Sequence, residues 1–247
     1  HRAMQIDPDV PEVQTSLGLV ATGRDWDFPK AMRHLGRAIE LDRTQALPRI
    51  YHSWIQVILG NFPEAVRLAS EAQAIDDQSP LVHSGAGYAY FMAGEFADGV
   101  MECDRALELQ PNFIIGLYVK GMCRAVQGQL DEAIELLSRA AAMSNRAPFY
   151  IGLLGNFFAR AGRRDEAQAI LSELQSRMAD TYIPPHAFTF IYAGLGDLDR
   201  AFEWQDRANE DGASPFNYFS PVIQELQQHP RHLEDIRQRG WKAWEKG

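Results

Sequence analysis

Residues 121–140, GMCRAVQGQLDEAIELLSRA, contain two short helical patterns separated by Gly128. A glycine at a helix end can take the left-handed backbone conformation that closes the helix without steric cost. Two acidic residues follow in the first turn of the second pattern, where the helix dipole favours negative charge. Ala133 and Ala140 lie seven residues apart, and therefore on one helix face, where small side chains let a second helix approach. The stretch predicts a pair of packed antiparallel helices.

This pattern recurs every 34 residues along most of the chain. One register holds only glycine, at Gly60, Gly94, Gly128, Gly162 and Gly196. A second register holds only small residues, at Ala31, Ala65, Gly99, Ala133, Ala167 and Ala201. A fixed period of this length indicates stacked helical units, each of which buries its apolar face against its neighbours. We therefore predict an all-α fold built as a solenoid.

The repeat resembles the tetratricopeptide repeat family, whose period is also 34 residues. One copy matches the family pattern at Gly87, Tyr90, Gly94, Phe96, Gly99, Ala106 and Pro111. The resemblance covers roughly residues 12–210 and implies a right-handed superhelical solenoid of antiparallel helix pairs. It is specific for the fold, whereas the family serves as a scaffold for many functions.

The repeat register divides the chain into three parts. Residues 1–11 read as the remnant of a preceding repeat, so we expect the chain to be a piece of a longer protein. Residues 12–210 hold about six repeats, with helices predicted at 12–21, 28–41, 47–59 and 63–74 in the first two. Residues 211–247 break the pattern and are predicted to form a capping segment. Its aromatic residues are expected to dock on the last repeat: Phe216, Tyr218, Phe219, Trp241 and Trp244.

The register is irregular in a few places. The spacing from Gly18 to Ala31 is one residue longer than in later repeats, which predicts a longer first turn between helices. Ser53 and Thr189 stand where the other repeats carry a glycine. These departures change local packing rather than the fold.

Composition narrows the possible functions. The net charge of −9 and the pI near 5.3 argue against direct nucleic-acid binding, which needs a basic surface. No apolar run is long enough to cross a membrane. Cys103 and Cys123 have no metal-site spacing, so a reducing, cytoplasmic location is the simpler interpretation. No catalytic motif is present, and His229 and His232 read as surface histidines. We predict no enzyme activity, no cofactor and no bound metal.

The first helix of each repeat lines the concave face in the family that this chain resembles. The corresponding positions give a candidate partner-binding groove formed by Trp54, Tyr88, Phe91, Met92, Tyr118, Met122, Asn156, Arg160, His186 and Phe190. Aromatic and methionine side chains suit an adaptable binding surface. Asn156 and Arg160 are four residues apart and could together hold a carboxylate. Alternatively, several of these side chains are buried between adjacent repeats.

Two functional hypotheses remain open on the sequence. The first is a protein-interaction scaffold that binds a peptide, a helix or a partner domain in the groove. The second is a small-molecule-sensing module of a bacterial regulator. The last repeat and tail, from AGLGDLDRAFEW onward, resemble the endings of bacterial multidomain signalling and transcription regulators. An open groove favours a peptide, whereas a closed pocket lined by Trp54, Tyr88 and Phe91 favours a small ligand.

Overall fold

The computed structural model describes residues 9–211 and 220–238. These residues form fourteen α-helices and one 3-10 helix, and no strand is found among them. Twelve helices fill residues 9–211: α1 Pro11–Gly23, α2 Phe28–Leu41, α3 Leu47–Ile58, α4 Phe62–Ile75, α5 Pro80–Met92, α6 Phe96–Leu109, α7 Ile114–Val126, α8 Leu130–Met143, α9 Pro148–Arg160, α10 Arg164–Arg177, α11 His186–Leu195 and α12 Leu198–Glu210. The 3-10 helix Pro221–Ile223 follows, and then α13 Gln224–Gln227 and α14 Pro230–Gln238.

Helices pack in consecutive pairs, α1 with α2 through to α11 with α12. The predicted helices of the first two repeats agree with α1 to α4 to within two residues at each end. Proline in the first turn fixes several of the starts, including those of α4, α5 and α9. The all-α fold built from helix pairs is therefore confirmed.

The turn inside each pair depends on a left-handed residue. The five glycines of the 34-residue register all have positive φ, between 70° and 82°. In the first pair Trp26 occupies the same position with φ 51°, although a bulky residue seldom adopts this conformation. The turn before α2 is four residues long, against three between α3 and α4, so the predicted longer turn is confirmed.

Small residues allow the two helices of a pair to cross closely. A Cβ atom on Gly87 would lie 3.1 Å from the carbonyl oxygen of Gly99 and 2.7 Å from Cys103 Sγ. Ala133 and Ala140, which define the register in the fourth pair, are fully buried. The repeated small side chains are thus the contact points at which paired helices meet.

One core extends from α3 to the C-terminal helices, and a separate cluster lies between α1, α2 and α3. Cys103 and Cys123 are both buried thiols in the larger core, and neither forms a disulfide. Residues 1–8 and the five aromatic residues of the predicted capping segment lie outside the described residues. The structural predictions made for them stay predictions.

The chain turns back after α12. The 3-10 helix contacts α7 and α11, which belong to the fourth and sixth pairs, while α13 contacts α12. Arg231 in α14 pairs with Asp206 and lies over the ring of Phe202, both in α12. The chain therefore returns from the end of the array toward its middle.

Candidate partner-binding groove

The first helices of the pairs form one continuous row. They contact one another directly in the pairs α1–α3, α3–α5, α5–α7 and α9–α11. In a curved stack of helix pairs, the row whose members touch lies on the inner side. We define the groove as the surface of this row, formed by α3, α5, α7, α9 and α11.

Aromatic rings follow the groove in two groups. In the first group, Trp54 lies 5.3 Å from Tyr51 and 6.3 Å from Tyr88, measured between ring centroids. Tyr88 in turn lies 6.3 Å from Phe91. These distances are within the range of favourable edge-to-face and offset aromatic pairs. The rings therefore connect α3 to α5 across the repeat boundary.

The second group connects α7, α9 and α11. Phe149 lies 5.5 Å from Tyr118, 5.9 Å from His186 and 6.0 Å from Phe190. Its neighbour Tyr150, which is 5.6 Å from Tyr118, was not among the predicted site residues. Tyr150 lies six residues before Asn156, the ninth position of its repeat, so the register did not indicate it.

The ten predicted groove residues divide evenly by burial. Trp54, Tyr88, Tyr118, Arg160 and His186 are half-buried. The other five are buried, with relative exposures of 0% for Phe91, 5% for Met92, 3% for Met122, 1% for Asn156 and 1% for Phe190. The buried five lie inside the protein, as the alternative interpretation of the sequence anticipated for several of them. The partner-binding role of all ten residues stays a prediction.

Asn156 and Arg160 bond to different neighbours. The Asn156 side-chain amide donates to the carbonyl oxygen of Phe190 in α11 at 2.8 Å. The Arg160 guanidinium donates to the carbonyl oxygen of Ala125 near the end of α7 at 3.0 Å, where a positive charge also complements the helix dipole. In this arrangement the two side chains tie α9 to the helices on either side of it. Their hydrogen bonds do not converge on a shared carboxylate position.

The returning chain covers the second half of the groove. Val222, Ile223 and Leu226 are each only 1% exposed and belong to the main core. Burial lowers the pKa of Arg160 in α9, and the carboxylate of Glu225 opposes that effect. The 3-10 helix Pro221–Ile223 therefore lies against α7 and α11, and α13 lies against α12. No local pattern in the sequence indicates this contact, because it joins positions about 100 residues apart.

The tyrosine and histidine side chains of the groove stay uncharged over a wide pH range. Burial raises the pKa values of Tyr88 and Tyr118 and lowers that of His186 to about 4. Neither ring nitrogen of His186 has a hydrogen-bond partner, and the side-chain oxygen of Asn156 also lacks one. An apolar surface with few polar atoms binds mainly through burial of apolar area.

Two other predictions concern histidine and metal sites. His232 is only 3% exposed, so its interpretation as a surface histidine is wrong; α14 turns it inward beside buried Ile236. No group of three or more His, Cys, Asp and Glu side chains in residues 9–211 and 220–238 could hold a metal ion. Over the same residues, no helix has the length and apolar content needed to span a membrane.

Comparison with known proteins agrees with the helix pairs and their period. Residues 126–184 match the family model of the tetratricopeptide repeat. Over these residues the helix pairs are similar to tetratricopeptide repeats. A tetratricopeptide repeat-containing protein of Methanocaldococcus jannaschii is 28% identical over 75 residues, which are 30% of this chain. The match covers 22% of that protein's length.

Solved structures of similar shape support the same fold. PilW, described as a widely conserved type IV pilus biogenesis factor, aligns with a TM-score of 0.63 and 22% identity over 87% of this chain and 97% of its own. A thermophilic tetratricopeptide repeat protein of Thermus thermophilus aligns with a TM-score of 0.62 and 16% identity over 80% of this chain and 98% of its own. The right-handed solenoid predicted from the tetratricopeptide repeat resemblance is thereby confirmed.

Proposed function

We propose that this tetratricopeptide repeat array is a non-enzymatic protein-interaction scaffold that holds a peptide or helix in its groove. The observation that carries the proposal is the series of half-buried rings along the first helices, including Trp54, Tyr88, Tyr118 and Phe149. A half-buried aromatic ring is fixed by its neighbours and still offers apolar area to a partner. Such anchors account for much of the binding energy at protein interfaces.

The geometry favours a peptide over a small ligand. A closed pocket for a small molecule would have to be lined by Trp54, Tyr88 and Phe91, but the side chain of Phe91 is fully buried. Rings spread along several helices instead suit an extended or helical segment that crosses repeat boundaries. The small-molecule-sensing module stays the second hypothesis. A cytoplasmic setting within a larger bacterial regulator is part of our proposal, and it is supported by the likeness of the tail and by the two unbridged thiols.

To test the proposal, peptides from a displayed library are selected for binding to the whole chain. Selected peptides are then measured against a groove variant, Trp54→Ala with Tyr88→Ala, by fluorescence anisotropy. The matched control is Met101→Ala with Met143→Ala, which removes two exposed apolar side chains from the outer helices α6 and α8. Circular dichroism verifies that all three proteins keep their helix content.

The proposal expects at least about a 30-fold loss of affinity in the groove variant, since one anchor side chain contributes about 2 kcal/mol or more. The control should bind within twofold of the parent. Equal losses in the two variants, or selected peptides that ignore both, would contradict the groove. If no peptide is selected while a small-molecule library raises the melting temperature of the parent and not of the groove variant, the sensing module is correct.

A further inference from the structure

We propose that residues 220–227 are an intramolecular ligand of the C-terminal half of the groove, and that this half binds partners with the same side-chain pattern. The pattern is two adjacent aliphatic residues, a leucine three positions after the second, and an acid just before that leucine. The inference rests on the proposed function, because it names the class of peptide that the groove accepts and the way in which access is regulated.

The first line of evidence is where the segment lies. The 3-10 helix Pro221–Ile223 contacts α7 and α11, two first helices that are separated by a whole repeat. A segment that touches both must run along the row of first helices, which is the groove itself. At the ninth position of the repeat, Trp54 and Tyr88 are half-buried, whereas Met122 and Phe190 are buried. Burial at this position therefore increases in the half of the groove where the segment lies.

The second line of evidence is how the segment is built. Its turn is closed by its own hydrogen bonds: the Ile223 amide donates to the carbonyl oxygen of Ser220 at 3.0 Å, and the Gln227 side-chain amide donates to the same oxygen at 2.9 Å. Pro221 further limits the backbone of its first turn. The segment is thus a locally ordered turn whose Val222, Ile223 and Leu226 side chains are buried in the main core. A peptide with this pattern could form the same turn and take its place.

The third line of evidence is charge. Glu225 is exposed, and Arg160 in α9 is half-buried. Burial lowers the pKa of Arg160, and the Glu225 carboxylate acts against that effect. An acid at this position therefore stabilises a cation that the groove would otherwise leave partly desolvated. This attraction selects partners that carry an acidic residue before the leucine.

The test uses a fluorescent peptide of residues 220–228, SPVIQELQQ, and the whole chain. A tethered segment competes at an effective concentration near the millimolar range, so the parent should bind the peptide weakly. The variant Ile223→Asp should expel its own segment and bind the peptide at least tenfold more tightly. A peptide that carries the same aspartate should bind neither protein. A folded Ile223→Asp chain that does not bind the parent peptide would overturn the proposal.

A second experiment tests whether the groove prefers peptides that carry an acidic residue before the leucine. In the Ile223→Asp chain, Arg160→Gln should lower the affinity for the parent peptide about fivefold. The same substitution should change the affinity of a peptide with Glu225→Gln by less than twofold. Equal losses for both peptides would mean that Arg160 acts only through its bond to Ala125, and would overturn the acid preference.

A measurement on the parent keeps the test decisive if Ile223→Asp does not fold. Hydrogen exchange should show that the amides of residues 222–227 open together, before those of α9 and α11. Exchange of all these amides in one step would mean that the segment is a fixed part of the core and would overturn the proposal. The proposed function fails separately: it is judged by library peptides and by Trp54 and Tyr88. If library peptides bind in the groove while SPVIQELQQ does not bind, the proposed scaffold function holds and only this inference is contradicted.

Discussion

His186 is a histidine that the fold keeps neutral. It lies between the rings of Phe149 and Phe190, and neither of its nitrogens has a hydrogen-bond partner. Burial lowers its pKa to about 4, below the value of about 6.5 for an exposed histidine. Between these pH values the unfolded chain binds a proton that the folded chain rejects. Above about pH 6.5 the neutral His186 therefore does not lower the free energy of unfolding. As the pH falls from about 6.5 toward 4, the free energy of unfolding decreases, because protons bind to the unfolded chain.

We expect His186→Phe to reduce this acid sensitivity, because phenylalanine keeps the ring contacts and cannot be protonated. Between pH 7 and pH 4, the free energy of unfolding of the variant should fall by about 3 kcal/mol less than that of the parent. Urea unfolding at the two pH values measures the difference. Identical losses in parent and variant would show that His186 does not titrate with folding. His232, whose pKa burial also lowers to about 4, should keep part of the acid sensitivity in both proteins.

Single residues also show what the sequence could predict and what it could not. The left-handed turns at Gly128 and its equivalents followed from a local property, since glycine adopts positive φ without cost. The same conformation at Trp26 could not be predicted, because a tryptophan carries no such preference and the surrounding turn imposes it. The inward position of His232 was missed because it depends on the contact of α14 with α12, distant elements with no shared local signal.

At the scale of helices, α9 and α11 meet through backbone atoms. A Cβ on Gly152 would lie 2.8 Å from both Cα and the carbonyl oxygen of Ala187. A Cβ on Gly194 would lie 2.7 Å from the carbonyl oxygen of Asn156. Backbone atoms cannot rotate away as a flexible side chain can, so the two helices would have to separate. The 34-residue register predicted a helix pair in each of these repeats, but it did not indicate this contact.

Gly152→Ala should therefore destabilise the protein by about 1–3 kcal/mol, the usual cost of overpacking. The matched control is Gly36→Ala in α2, where a Cβ would meet no atom within 4 Å. There the change should stabilise the protein by about 0.5–1 kcal/mol, because alanine favours the helix over glycine. Thermal unfolding of the two variants gives the comparison. Gains of similar size at both positions would mean that α9 and α11 are not in close contact.

At the scale of the whole molecule, two of the apolar clusters in the described residues differ in how far they extend along the array. The smaller cluster includes Phe28, Leu35 and Ile55 and is confined to α1, α2 and α3. The larger core continues to α14, and residues 220–227 connect the fourth and sixth repeats within it. The 34-residue period predicted a chain of units that contact only their neighbours. The returning segment breaks that rule at one end of the array, so stability should be shared among the last three repeats and remain local in the first.

This difference predicts how far the loss of stability from a core substitution extends along the chain. Leu35→Ala and Leu137→Ala each remove a fully buried leucine side chain, at a cost of about 2–5 kcal/mol. After Leu35→Ala, hydrogen-exchange protection should fall in α1 and α2 and stay unchanged from α7 to α11, because repeat stability is a sum of local and nearest-neighbour contributions. After Leu137→Ala in the fourth repeat, protection should fall together from α7 to α12. Equal loss along the whole chain in both variants would show that the array unfolds as a single unit, and that the returning segment adds no cooperativity of its own.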